Sequence, residues 1–274
     1  MSVNQMWIVD AFTSVPFRGN AAAVCVLDSF PPDEKMQLVA LQNQLSETAF
    51  LVKTAPLRYS LRWFTPEAEV NLCGHATLAA THVLVQSGEI KKGDIVTYDT
   101  LSGELKAKAL DKGVELDFPT LPGVAVKPPA ALKALGVDIL ACEKNRDNYL
   151  VEVKDFDTLL ACKPQYKKLA KLDSTGVIVT TAKGVPHEFD FASRYFCHPN
   201  LGIEEDPVTG SAHCFLAPYW APKLGKTMFH ALQASKGYGI LDVTLKGERT
   251  LIAGDSVTTL KTHSPFIKTK ASSC

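Results

Sequence analysis

Short apolar runs broken by turn residues dominate the chain. "MWIVDAF" from Met6 and "AAVCVL" from Ala22 are brief and apolar. "LRYSLRWF" alternates, which places Leu57, Tyr59, Leu61 and Trp63 on one face and Arg58 and Arg62 on the other. "DIVTYDT", "GELKAKALDKGVELDF" and "GILDVTLKGERTLIAG" read as strands and hairpins, turned at Asp111-Lys112-Gly113 and at Lys246-Gly247. Two segments carry a helical pattern instead. "PPDEKMQLVALQNQL" has an acidic first turn and apolar residues at Met36, Val39, Ala40 and Leu45. "GHATLAATHVLVQSG" is small and apolar nearly all round and closes at Gly88, so it predicts a buried helix at the centre of something. Many strands with few helices predict an α+β fold.

The patterned segments recur. "LRWFTPEAEVNLCGHATLA" in the first half resembles "SRYFCHPNLGIEEDPVTGSAHCFLA" in the second. Arg62-Trp63-Phe64 matches Arg194-Tyr195-Phe196, Pro66 falls near Pro199, and Gly74-His75-Ala76 matches Gly210-Ser211-Ala212. The distance from arginine to glycine differs by four residues, so this is a weak repeat and not a periodic array, with coincidence over about twenty residues as the alternative to a duplication. It predicts two pseudo-symmetric halves, each a curved, mostly antiparallel sheet wrapped around a central helix that opens at a glycine. "FPTLP" (Phe118 to Pro122), with two prolines that interrupt strand pairing, marks the divide. Residues 1–118 then form the N-terminal half and 119–254 the other, with residues 255–274 returning as strand to the first. The N–H groups at two such helix starts suit a carboxylate.

Composition narrows the partners. The 274 residues suffice for two domains, and 46% hydrophobic with 21% charged is ordinary for a soluble protein. Net charge is +0 from 29 basic and 29 acidic residues. No basic cluster tracks a nucleic-acid backbone and no basic amphipathic stripe suits a membrane surface, so a small neutral or anionic metabolite is the expected partner. "MSVNQMWIVDAF" has no signal-peptide pattern, and "AAAVCVL" is far short of the roughly 20 apolar residues that span a bilayer, which gives a cytoplasmic expectation. Seven scattered cysteines, an odd number, read as reduced thiols rather than a disulfide framework.

Several chemistries compete for these residues. Cys73, just before Gly74, is a candidate acid/base thiol, since a helix N-terminus lowers a thiol's pKa. A two-thiol racemase needs a second cysteine before Gly210, and Val208 or Thr209 stands there. A buried structural role for Cys73 is the alternative. His75 and His82 lie seven apart, too far for a close zinc-ligand pair, and no metal is expected. Ser211, His75 and Asp206 compose a hydrolase triad only on paper, because no G-x-S-x-G surrounds the serine. "GYGILD" lacks the third glycine of a dinucleotide fingerprint. Carboxylates remain as proton movers. Glu47, between a helix and the apolar Ala49-Phe50-Leu51, is a general-base candidate, with a solvated glutamate as the bland alternative. Asp206 precedes Pro207 at the second helix start, where it could serve simply as an N-cap.

The stretches "VDAFTSVPFRGNAAAVCVL", "LSETAFL", "LRWFTPEAEVNLCGHATLA", "TLSGEL" and "DPVTGSAH" together resemble the phenazine-biosynthesis-like PhzF family, within the diaminopimelate epimerase fold superfamily, and are especially similar to its eukaryotic members. Residues from about 123 to 175 carry little of the resemblance. It implies two similar halves with an active site in the cleft between them. It implies an acid/base glutamate at Glu47, an active-site histidine at His75 beside Gly74, the second-motif aspartate at Asp206, and a Gly-Ser pair at Gly210 and Ser211. Asn20 and Ser46, within the same motifs, join Gly74, Gly210 and Ser211 as substrate-binding candidates. In the superfamily's racemases paired thiols occupy the two helix starts; here Cys73 stands at one and Pro207 at the other. The implied activity is cofactor-independent isomerisation of a small cyclic or unsaturated carboxylate, the founding substrate being trans-2,3-dihydro-3-hydroxyanthranilate, by a homodimer. A metabolite-binding or interaction protein of the same fold and a single-thiol epimerase using Cys73 are the rival expectations.

Overall fold

The structure, a computed structural model, describes residues 5–201 and 203–263. Two compact units divide the chain: one runs through Asp117 and resumes at Ala253, the other spans Phe118–Ile252. The returning strand is Ser256–His263; residues 264–274 lie outside the described residues. Among the described residues no helix is long and apolar enough to cross a membrane.

In the first unit the strand Gln5–Ala11 pairs antiparallel with Ser256–His263 on one side and with Asn20–Leu27 on the other. Asn20–Leu27 runs parallel to Glu47–Ala55, which pairs antiparallel with Arg58–Phe64. Arg58–Phe64 runs parallel to Ile95–Thr100, and an antiparallel ladder continues through Gly103–Ala109 to Val114–Pro119. The helix Gly74–Gln86 packs against the strands Gln5–Ala11, Asn20–Leu27, Glu47–Ala55, Gly103–Ala109 and Ser256–His263, so the sheet wraps it. That position explains its composition. Leu78, Val83 and Leu84 and the alanines between them are fully buried, and each large apolar side chain removed from water contributes roughly 2 kcal/mol. The helix ends as its sequence predicts: Gly88 takes φ +76°, and Glu89 N–H closes on the Leu84 carbonyl. The alternation in "LRYSLRWF" holds from Tyr59 onward. Leu57 departs from it, because it sits in the turn before the strand with φ +56° and is partly exposed.

The second unit repeats the pairing order. Ala141–Lys144 is antiparallel to Asn148–Glu152, which is parallel to Gly176–Thr181. Gly176–Thr181 is antiparallel to Phe191–Cys197, which is parallel to Met228–Gln233, and Met228–Gln233 is antiparallel to Gly239–Lys246. The corresponding strands of the first unit follow the same antiparallel, parallel, antiparallel, parallel, antiparallel sequence. The central helix departs from expectation at its start. Gly210–Ala212 forms a three-residue 3₁₀ turn, and the α-helix proper is His213–Leu224, with Pro218 and Pro222 inside it. Its aromatic side chains anchor it: Trp220 Nε1 donates to Thr180 Oγ1 at 3.0 Å, and its ring stacks with Phe191.

Register makes the duplication residue-specific. Phe64 faces Glu69 across a hairpin, and Phe196 faces Glu205 across its counterpart. The four extra residues of the second half therefore lie in that hairpin's loop, and the spacing from Glu69 to Gly74 equals that from Glu205 to Gly210. Val70 then corresponds to Asp206, Asn71 to Pro207, Cys73 to Thr209, and His75 to Ser211. Thr48 faces Phe64 while Val177 faces Phe196, so the counterpart of Glu47 is Gly176.

Candidate active site

Glu47 opens a strand whose next residues, Thr48 to Leu51, are fully buried. His75 is the second residue of the first unit's central helix. Glu47 Oε2 stands 3.1 Å from His75 Nε2, with side-chain exposures of 18% and 6%. The two atoms are close enough to interact as charges but are out of line for a hydrogen bond. Both are buried and neither has a hydrogen-bond partner.

The other ring nitrogen of His75 is held by two groups. Asn20 Nδ2 lies 3.3 Å from Nδ1, and Cys73 Sγ lies 3.5 Å from it. Ser46 Oγ donates to Asn20 Oδ1 at 3.0 Å, which turns the Asn20 amine toward the ring. Asn20 itself is aimed by Gly19. That residue has φ +70°, and a Cβ there would fall 2.1 Å from the Ala11 carbonyl oxygen, so only glycine fits. With the amine donating to Nδ1, the neutral ring carries its proton on Nε2, toward Glu47. A charged ring instead has Cys73 sulfur as acceptor at Nδ1. Burial works against charge on His75, but Cys73 and Glu47 favour it, and the net direction is well above the ordinary histidine value. Cys73 itself stays a thiol near neutral pH.

Cys73 does not behave as its place at a helix start predicts. Burial first, and the neighbouring Glu47 charge second, push its thiol up to about 11. The sulfur has left water, and that cost exceeds what the helix N-terminus returns. Six cysteines in the described part are buried and free of disulfides. Glu47, Cys73 and His75 also bring possible ligand atoms within 4.8 Å of one another. His75 meets Cys73 through Nδ1 and Glu47 through Nε2, however, so an ion held by one ring nitrogen would have to displace the contact at the other. His82 is elsewhere engaged, with Nε2 3.2 Å from Thr258 Oγ1.

In the second unit Asp206 is not an N-cap: Thr209 holds that position for the 3₁₀ turn and Ala212 for the α-helix after it, and the Thr209 hydroxyl donates to Asp206 Oδ2 at 2.6 Å. Thr209, and not Pro207, is also the register counterpart of Cys73. Gly210 is buried and Ser211 exposed at the turn that follows. His213, fully buried, sets its Nδ1 3.0 Å from the Thr209 carbonyl, as Thr77 Oγ1 donates to the Cys73 carbonyl at 2.5 Å in the first unit. Thr209, His213 and Gln233 were not singled out from sequence. A glutamine ending the apolar run "MFHAL" is the signal that was available. Of the expected site residues, Glu47, His75, Gly74, Ser46 and Asn20 come together in one unit, and Asp206, Gly210 and Ser211 in the other.

A sequence profile described as "Phenazine biosynthesis-like protein" matches residues 9–262. An uncharacterized isomerase of Halalkalibacterium halodurans is 44% identical over 96% of this chain and 99% of its own. Phenazine biosynthesis-like domain-containing protein 2 of Mus musculus is 40% identical over 93% of this chain and 97% of its own. The crystal structure of a PhzF-family phenazine biosynthesis protein from Enterococcus faecalis superposes with TM-score 0.90 at 39% identity, covering 95% of this chain and 98% of that one. Matched over nearly its whole described length, the chain belongs to the phenazine biosynthesis-like PhzC-PhzF family and is an isomerase.

Proposed function

We propose that this isomerase moves a proton on a small cyclic or unsaturated carboxylate without a cofactor, using Glu47 as its one acid/base group. The observation that carries this is the pair of buried, hydrogen-bond-free atoms Glu47 Oε2 and His75 Nε2, 3.1 Å apart. A polar pair kept out of water with no partner beyond each other keeps hydrogen-bonding capacity that a substrate can use. The duplication supports a single base, because the register counterparts of Glu47 and His75 are Gly176 and Ser211. Racemisation by removal and return on opposite faces asks for two such groups; a shift along one face asks for one.

In this scheme the Glu47 carboxylate takes a proton from a substrate carbon, and the electron pair spreads into the conjugated system. The same carboxyl then returns the proton to another carbon on that face, so no atom is gained or lost. His75 hydrogen-bonds the developing charge, and Asp206 binds a polar substituent. Amides at Gly74, Gly210 and Ser211 take the substrate carboxylate, since leading helix N–H groups have no intrahelical acceptor. The homodimer and cytoplasmic location expected from sequence belong to the same proposal.

Candidate carboxylates, trans-2,3-dihydro-3-hydroxyanthranilate among them, offered in D₂O test it by NMR. The parent should exchange deuterium into product or recovered substrate, and Glu47→Gln should lose at least about 100-fold in rate. Equal exchange by both proteins removes Glu47 from the mechanism. A ligand that binds the parent with neither exchange nor isomerisation favours a binding protein. A single-thiol epimerase has one observation in its favour, the 3.5 Å contact of Cys73 Sγ with His75 Nδ1. Substrate-protected inactivation by alkylation of Cys73 would support that scheme.

A further inference from the structure

The two units share a clamp at the helix start. In the first, Ser102 Oγ donates to the Asn71 carbonyl at 2.8 Å; in the second, Ser235 Oγ donates to the Pro207 carbonyl at 2.6 Å. These serines correspond. Tyr59 faces Tyr98 and its counterpart Phe191 faces Ala231, which sets Ser102 against Ser235 and Thr100 against Gln233. At the Thr100/Gln233 position the units diverge. Thr100 donates to Gly103 within its own hairpin turn. Gln233 instead turns, fully buried, into the segment from Asp206 to Thr209.

There its amide spends both ends. Oε1 accepts the Thr209 N–H at 2.8 Å, and Nε2 donates to the Asp206 carbonyl at 2.8 Å and to Thr209 Oγ1 at 3.2 Å. The amide orientation follows from its partners, since an N–H must meet the oxygen and a carbonyl must meet the amine. A consequence runs to the carboxylate. Because Thr209 Oγ1 accepts from Gln233, its own proton is directed to Asp206 Oδ2, 2.6 Å away. The first unit has no use for such a device, because Val70 stands in the place of Asp206.

We infer that Gln233 is a positioning residue for the isomerase, fixing the Asp206–Thr209 turn and with it the orientation of the Asp206 carboxylate. This rests on the role proposed for Asp206. A glutamate in place of Gln233 keeps the shape and the acceptor but deletes the amine. The ionised carboxyl of Q233E would face the Asp206 carbonyl without a proton and would draw the Thr209 hydroxyl away from Asp206. Protonated, it regains an O–H donor.

The test uses the full-length chain carrying Q233E, D206N or both, with trans-2,3-dihydro-3-hydroxyanthranilate as substrate between about pH 5 and about pH 8. At the alkaline end Q233E should lose roughly 10- to 100-fold in kcat/KM, and its ratio to the parent should rise as pH falls. On the D206N background, Q233E should add less than about 3-fold. Losses that are equal at every pH, or that multiply with D206N, overturn the inference. Hydrogen exchange at the Thr209 amide, followed by NMR without any turnover in Gln233→Met, which removes the acceptor as well as the amine, separates its failure from that of the function. Exchange faster by about 10-fold or more in Gln233→Met, with a parent that turns nothing over, leaves the clamp standing and the functional scheme fallen. Unchanged protection in Gln233→Met sinks the clamp while leaving Glu47 untouched.

Discussion

His75 stands among groups that ask different things of its ring. Asn20 offers Nδ1 a hydrogen and so favours the neutral form, while Cys73 offers it a sulfur acceptor and Glu47 faces Nε2 with charge. Burial opposes a charged ring, but its neighbours outweigh burial and the ring holds its second proton above the ordinary histidine range. The carboxylate is the partner that can be removed without disturbing Nδ1. In Glu47→Gln the imidazole midpoint, read by NMR of its ring nitrogens or carbon-bound protons, should fall, because the burial cost remains and the neighbouring charge is gone. An unchanged midpoint would assign the shift to another source and would weaken the case for a coupled Glu47–His75 pair. Cys73→Ser, which leaves Glu47 in place, should move the midpoint much less.

The hairpins preceding each central helix are one element used twice under different loads. Arg62 grips Glu69 through Nε and Nη2, each at 2.7 Å, and Arg194 grips Glu205 at 2.8 and 2.9 Å in the same fork. Each guanidinium also lies over the phenylalanine two residues on, Phe64 or Phe196. The remaining nitrogen differs. In Arg62 it reaches Asp33, an exposed carboxylate, whereas in Arg194 it donates to the carbonyls of Leu159, Leu160 and Cys162, around the end of the helix Phe156–Ala161. Arg194→Met strands Glu205 and those carbonyls together, and should cost about 3 to 5 kcal/mol in urea unfolding. Arg62→Met, whose third partner keeps its water, should cost about 1 to 2 kcal/mol. Equal losses would show that the carbonyl contacts contribute nothing. The hairpins were legible in the sequence as Arg-aromatic-Phe, and so was the glycine that opens the first helix, whereas Gly210 opens a 3₁₀ turn ahead of the second. The four-residue offset was not, because nothing in the residues of a loop says on which side of a strand pair an insertion falls. Only the facing of Phe196 with Glu205 assigns it, and with it the match of Thr209 to Cys73, while the match of Gly176 to Glu47 rests on Val177 facing Phe196. Gln233 was hidden for a related reason. Its partners lie 24 and 27 residues away in sequence, in the other arm of a crossover, and local pattern carries no trace of them.

Across the whole molecule, two buried histidines set the flanks of stability against pH, and they act in opposite directions. His75 has a folded value above its ordinary one, so its contribution is present in full below about pH 6.5 and is lost as pH rises through the raised value. His213 is the reverse case. Burial holds it near 4 although the Thr209 and Gly210 carbonyls pull upward, and its Nε2 is buried without a partner. Above about pH 6.5 neither folded nor unfolded chain protonates it. Between that value and about 4 the unfolded chain binds a proton that the folded one refuses, so stability falls as the solution is acidified. Below about 4 both forms are charged and the loss levels off at about 3 kcal/mol. His213→Asn keeps an amide donor where Nδ1 points and cannot titrate. Urea unfolding at about pH 7.5 should find the variant less stable, by the cavity and the lost stacking on Phe191. At about pH 4.5 the gap should narrow by about 2 to 3 kcal/mol, because the parent alone has given up the histidine's contribution. All other titrating groups are common to both proteins and cancel in the difference. A gap that stays constant across that range would mean that His213 takes up its proton in the folded state as readily as in the unfolded one, and that the acid flank belongs to other groups.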